Sequence, residues 1–147
     1  MKPAPLQLER HFFSKVEIDS HMDGKVGTVN LLKFQVEIGQ ADPNVKRYQI
    51  SLKLKLDAQP DATPTYTGEI HAIGIFRVLD GWPEDKIASL VQTNGISMLY
   101  GAIRELVLNV TSRGPWPPLM LAAFSFVADQ QAEELPASFR GVPLEKK

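Results

Sequence analysis

Tyr48-Gln49-Ile50-Ser51-Leu52-Lys53-Leu54-Lys55-Leu56-Asp57 is the stretch that decides the fold. Side chains of an extended chain alternate between two faces, so Tyr48, Ile50, Leu52, Leu54 and Leu56 share one face and Gln49, Ser51, Lys53, Lys55 and Asp57 the other. One apolar and one charged face mark a strand of an antiparallel sheet covered on one side only. The same period of two extends upstream. Leu32, Phe34, Val36 and Ile38 alternate with Lys33, Gln35 and Glu37, and Gly39 with the Asp42-Pro43-Asn44 turn closes that strand. Further upstream, the even positions Leu6, Leu8, Arg10, Phe12, Ser14, Val16 and Ile18 give a first strand with two polar interruptions. The turn formers Asp19, Ser20, Asp23, Gly24 and Gly27 separate it from the second. Downstream, Pro60 and Pro64 bracket a loop, and Tyr66 to Phe76 form a fourth strand that is apolar on both faces toward its end, as burial on both sides or an interface requires.

Beyond Phe76 the period changes. Trp82-Pro83-Glu84-Asp85 places proline and acids where a helix N-terminus favours them, and Ile87, Leu90, Val91, Met98, Ala102, Ile103, Leu106 and Val110 follow helical spacing. Asn94-Gly95 interrupts this pattern and predicts a short and a long piece, ended by Arg113, Gly114 and Pro115. Trp116 to Ala123 reads as irregular, Phe124 to Glu134 as a short last helix, and Pro136 to Lys147 as a tail. The fold class is α+β: a four-stranded antiparallel sheet followed by a long kinked helix packed on one face, then a short C-terminal helix.

The chain has 147 residues, 44% of them hydrophobic, which suits one domain spanning residues 1–147 with a core over about 6–134 and a tail over 135–147. A net charge of −1 leaves no polybasic footprint for nucleic acid. There is no cysteine, hence neither a disulfide nor a thiolate metal site. Met1-Lys2-Pro3-Ala4-Pro5 does not open an apolar signal, and no apolar run reaches the roughly 20 residues of a membrane span, so a cytoplasmic protein without membrane insertion is expected.

Chemistry finds few candidates. No glycine-rich phosphate loop and no G-x-S-x-G elbow occur. Glu69 and His71 share a strand face and could hold a metal with His11, but a surface Glu and His on one face need no ligand, and that reading is preferred. No catalytic residue, metal or cofactor is assigned. Instead, apolar residues accumulate outside the regular core: Trp82, Trp116, Pro117, Pro118, Leu119, Met120, Phe124 and Phe126. Singly, each could staple a loop to the core. Together they suggest a groove for apolar segments of another chain, with Tyr66, Phe76, Trp82, Trp116, Leu119, Met120 and Phe124 as its candidate residues.

Three segments carry a family likeness over roughly Leu6 to Asp129: Leu6-Gln7-Leu8-Glu9-Arg10 with Lys15-Val16-Glu17-Ile18; Glu69-Ile70-His71-Ala72-Ile73-Gly74-Ile75-Phe76; and Val110-Thr111-Ser112-Arg113-Gly114-Pro115-Trp116-Pro117. In this order they resemble the protein-export chaperone SecB. The resemblance implies an ATP-independent holdase for unfolded or precursor polypeptides, assembled as a homotetramer, a dimer of dimers with helices between the sheets. Gly68, Ile70, Ala72, Met98, Ala102 and Ile103 are the candidate interface residues. It also implies docking to the translocation motor SecA through acidic positions of the sheet, of which Asp19 and Glu69 keep two, whereas Lys15 stands where an acid is common. The family usually ends in an acidic tail, and this chain ends Glu145-Lys146-Lys147. Two other readings stand beside export: a SecB-like chaperone dedicated to the antitoxin of a toxin–antitoxin system, and a small enzyme or ligand-binding α+β domain with a pocket under the helix.

Overall fold

A computed structural model describes residues 1–42 and 44–126. Strands β1 (Leu6–Ser20), β2 (Leu31–Asp42), β3 (Arg47–Asp57) and β4 (Tyr66–Val78) form one antiparallel sheet in the order β1-β4-β3-β2. The alternation read from the sequence holds on β3, where Tyr48, Ile50, Leu52, Leu54 and Leu56 are buried while Gln49, Lys53 and Lys55 are exposed. Because β1 and β2 lie at opposite edges, the connection between them has to cross the width of the sheet. That crossing, residues 21–30, becomes one wall of the site described below.

On β1 the simple alternation fails, and the register says why. Shifts between Leu8 and Arg10 and between Phe13 and Lys15 mark two β-bulges, each adding one residue and inverting the faces. Leu6 and Leu8 therefore face the core with Val78 and Phe76, His11 and Phe13 take over opposite Gly74 and Ala72, and Val16 and Ile18 return opposite Ile70 and Gly68. Arg10 and Phe12 go to the outer face, opposite Ile75 and Ile73. The two polar interruptions seen in the sequence are the places where the strand turns over.

A 3₁₀ turn at Glu84–Lys86 follows Pro83 and leads into α1 (Ile87–Leu90), a π turn (Val91–Gly95) and α2 (Ile96–Thr111). The expected interruption at Asn94-Gly95 is thus a π turn, and Gly95 itself keeps helical angles of φ −65° and ψ −46°. Its lack of a side chain serves close approach: a Cβ there would overlap Ile50 Cδ1 of β3. Ile96, Leu99, Ile103 and Val107 of α2 close over Ile50, Leu52, Leu54, Ile70 and Phe76, all fully buried. Each such side chain contributes on the order of 1.5–3 kcal/mol through burial. The helix ends at Thr111, with the Arg113 side chain donating to Asn109 O (3.1 Å) and the Gly114 N–H to Thr111 O (3.1 Å).

Trp116 to Phe126 carry no regular secondary structure, so the predicted last helix does not include Phe124 to Phe126. The remainder of that helix, the Pro136–Lys147 tail and Pro43 of the predicted turn lie outside the described residues.

Candidate polypeptide-binding groove

The segment after α2 has no ladder of its own and is held by side chains of neighbouring elements. Tyr66, at the start of β4, lies under it: its hydroxyl accepts from Trp116 N (3.1 Å) and lies 3.2 Å from both Thr111 O and Trp116 O. The Thr111 hydroxyl donates to Val107 O (2.7 Å) and accepts from Leu119 N (2.9 Å). Arg104 Nε donates to Leu121 O (3.0 Å), and the Tyr100 hydroxyl donates to Ala122 O. Burial pushes that Tyr100 phenol up to about 12, against a smaller opposing effect of the Arg104 charge. Phe34, Tyr100, Phe124 and Phe126 pack edge to face, with ring centroids 5.6–5.8 Å apart for every pair except Phe124 and Phe126.

The β1–β2 crossing is tied down on the other side. His21 N donates to Thr65 O (2.9 Å), Lys25 N to Thr63 O (2.9 Å), and Asn30 Nδ2 to Tyr66 O (2.8 Å). Trp116 Nε1 donates to His21 O (2.9 Å) and so bridges the two walls.

Between these walls runs an open groove of about 570 Å³. Val26, Gly27, Thr28, Val29, Asn30, Leu32 and Thr65 line one side, and Pro117, Pro118, Leu119, Met120, Leu121, Ala122 and Phe124 the other. None of these residues is charged. Val29 (73% exposed) and Met120 (71%) present apolar side chains to solvent on opposite rims. Such a surface suits apolar contact and offers little polar chemistry for selection.

Of the seven residues the sequence proposed for the groove, Leu119, Met120 and Phe124 line it. Tyr66 and Phe76 need correction: Phe76 is fully buried beneath the helix, and Tyr66 is 2% exposed, with its hydroxyl committed to the segment above. Trp116 braces the walls through its indole N–H. Trp82 packs against the core beside the helical entry, its Nε1 buried without a partner among the described residues. Sequence reasoning missed Val26 and Val29. Their signal was the apolar trio Met22, Val26 and Val29 inside a run otherwise rich in turn formers.

The candidate interface divides similarly. Ile70, Ala72 and Ile103 are buried within the protomer because α2 packs onto that face, and a Cβ on Gly68 would overlap Glu17 O of β1. Only Met98 and, partly, Ala102 remain available to a second copy.

Asp19 and Glu69 lie on the outer face of the sheet, away from the helix, with Lys15 and Glu17 beside them. Lys15 Nζ donates to Glu69 Oε2 at 2.7 Å and lies 3.7 Å from Glu17 Oε2; His71 Nε2 is 2.9 Å from the same Glu69 oxygen. The Lys15 hydrogen bond, with the nearby charges, holds the Glu69 carboxyl below the usual carboxylate range. His11 cannot join a metal set there, since the register opposite Gly74 turns it to the helix-side face. No cluster of three His, Cys, Asp or Glu side chains suited to a metal occurs among the described residues.

Comparison with solved structures finds the same fold in a SecB-like chaperone. The structure of Mycobacterium tuberculosis Rv1957 SecB-like chaperone in complex with a ChAD peptide from Rv1956 HigA1 antitoxin matches with a TM-score of 0.63 at 24% identity, over 82% of this chain and 91% of that one. The chain belongs to the SecB family, described as preprotein translocase subunit SecB, whose sequence profile matches residues 25–134. Protein-export protein SecB of Rhodopseudomonas palustris (strain TIE-1) is 24% identical over 65% of this chain and 60% of its own length. That of Nitrosococcus oceani is 31% identical over 55% and 49%. The chain thus spans about half to three-fifths of the length of these curated relatives. Among the described residues, no helix is long and apolar enough to cross a membrane.

Proposed function

We propose that this member of a chaperone family is an ATP-independent holdase that receives extended apolar segments of unfolded polypeptides in the groove between the β1–β2 crossing and Pro117–Phe124. The observation that carries this reading is the groove itself: open, uncharged along its lining, and rimmed by the exposed Val26, Val29, Met120 and Phe124. Rigid walls with an adaptable methionine suit many sequences, and the adjacent β2 edge offers main-chain pairing to a client. The chain acts in a homotetramer, with Met98 and Ala102 on the helix face that meets a second copy. No nucleotide, catalytic residue or metal takes part, and the protein works in the cytoplasm.

Precursors for export, handed to SecA, are the first client class in this proposal, through membership of the SecB family. A dedicated antitoxin client is the second, supported by the pairing of Lys15 with Glu69, which weakens an acidic docking surface, and by the peptide in the Mycobacterium tuberculosis relative.

The test is suppression of aggregation of a chemically unfolded client, without nucleotide. Met120→Glu and Val29→Glu should each abolish most of the protection while leaving the unfolding free energy within about 0.5 kcal/mol of the parent, as exposed sites allow. Protection that requires ATP, or that survives both changes, sinks the holdase reading.

A further inference from the structure

We propose that the outer face of the sheet docks an acidic polypeptide segment anchored by an apolar side chain, in a site separate from the client groove. Strand register lays this face out as rows of opposed residues. One row holds Arg77 and Arg47, the next Arg10, Ile75 and Gln49, the next Phe12, Ile73 and Ser51, and the next Lys15, His71 and Lys53. Phe12, Ile73 and Ile75 thus form an apolar island in the middle of a polar face, with Phe12 exposed and the two isoleucines half-buried. Cations stand on both sides of the island along the strands. Arg10 lies over the Phe12 ring at 5.1 Å from its centroid.

The island is not part of the core, because the helix and the buried cluster lie against the opposite face of the same strands. Half-buried isoleucines on a solvent face have no role in the groove or in the proposed tetramer contact. Charge decides the occupant. Arg10, Lys53 and Arg77 make no ion pair among the described residues, whereas Arg47 is held by Glu9 (2.6 Å) and Lys15 by Glu69 (2.7 Å). Near the island the unpaired acids are Glu37, at the β2 edge opposite Ser51, and Asp42, at the same edge opposite Arg47; Glu17, Asp19 and Glu69 lie toward the far end of β1 and β4. The cationic rows on the two sides of the island are six residues apart, about 20 Å in a strand. A segment of about seven extended residues, with carboxylates flanking one or two apolar side chains, spans that distance. A polyphosphate or an anionic bilayer calls for contiguous cations, and here aliphatic surface separates them.

Fluorescence anisotropy tests this with a labelled peptide in which two leucines sit between pairs of aspartate and glutamate. The acidic peptide should bind the full chain at least about tenfold more tightly than its lysine-flanked counterpart, and more weakly as salt rises. Lys53→Glu with Arg77→Glu should reverse that preference. Ile73→Ser should weaken binding about tenfold with an unchanged far-UV spectrum. Should that variant unfold, Arg77→Ser, at an exposed site, should weaken binding instead. Met120→Glu, in the groove, should leave binding intact. Equal affinity for the basic peptide, tighter binding of a single-stranded oligonucleotide or of phosphatidylglycerol vesicles, or loss of binding in Met120→Glu would overturn the proposal. The last result would move the peptide into the groove without touching the holdase reading.

Discussion

Lys15 Nζ and Glu69 Oε2 lie 2.7 Å apart across the β1–β4 pair, so a cation neutralises one of the two acids of the proposed SecA-docking surface. Lys15→Glu should therefore tighten SecA binding, and Glu69→Lys should abolish what remains, with client holding unchanged in both. Affinities at low and physiological salt check this, because exposed charges act mainly on encounter and are screened. Tight binding by the unmodified chain, unaltered in Lys15→Glu, would place motor docking elsewhere.

The same pair has a pH signature. The Glu69 carboxyl is held below its ordinary range, first by the Lys15 hydrogen bond, so the pair's contribution is present above that ordinary range and is lost as pH falls through the lowered value. In Lys15→Gln the titration midpoint of Glu69, followed by NMR of its carboxyl, should move upward. An unmoved midpoint would assign the effect to other neighbours.

Tyr66→Phe removes the acceptor for Trp116 N–H and the hydroxyl donor at 3.2 Å from two carbonyls, at a buried position. The cost should be about 1–3 kcal/mol in urea unfolding. Client protection measured where both proteins are folded should also drop, since this hydroxyl holds the start of the Pro117–Phe124 wall. Lost stability with full protection would mean that the wall does not depend on the bond.

Two closely packed glycines should respond differently to alanine. At Gly68 the added Cβ meets backbone, Glu17 O, and the β1–β4 pair must separate locally, a cost at or above the usual overpacking range of about 1–3 kcal/mol. At Gly95 it meets the end of the Ile50 side chain, which can turn aside, and a helical alanine recovers about 1 kcal/mol of propensity. Gly95→Ala should therefore lie within about 1 kcal/mol of the parent. The reverse order in thermal or chemical denaturation would contradict the packing described.

Tyr100 gives an alkaline test. Its phenol is raised to about 12 by burial, above its ordinary value near 10, so its contribution is whole below about pH 10 and is lost as pH rises toward 12. The parent should lose stability over that window, and Tyr100→Phe should lose less there, after an initial cost of about 1 kcal/mol at neutral pH for the bond to Ala122 O. Parallel curves would show that another group governs alkaline unfolding.

By itself the sequence determined the sheet, the helix, the place where the helix ends and the kind of surface to look for. Each of these depends on local rules: side chains on β3 alternate because a strand has a period of two, and Gly114-Pro115 stops a helix wherever it occurs. Trp116 to Ala123 were legible as irregular for the same reason, whereas Phe124 to Phe126 read as the start of a helix and carry no regular structure. Only the tertiary structure decided which apolar residues reach solvent. Phe76 and Met120 look equally available in a sequence, but α2 covers one and leaves the other on a rim. The two bulges of β1 sent Phe12 to one face and Phe13 to the other, a choice set by register with β4 rather than by either side chain. The second wall of the groove depended on strand order: because β1 and β2 occupy opposite edges, Val26 and Val29 are carried across the sheet to line the groove with Met120, and a pairing of walls about 90 residues apart leaves no period in the chain to read.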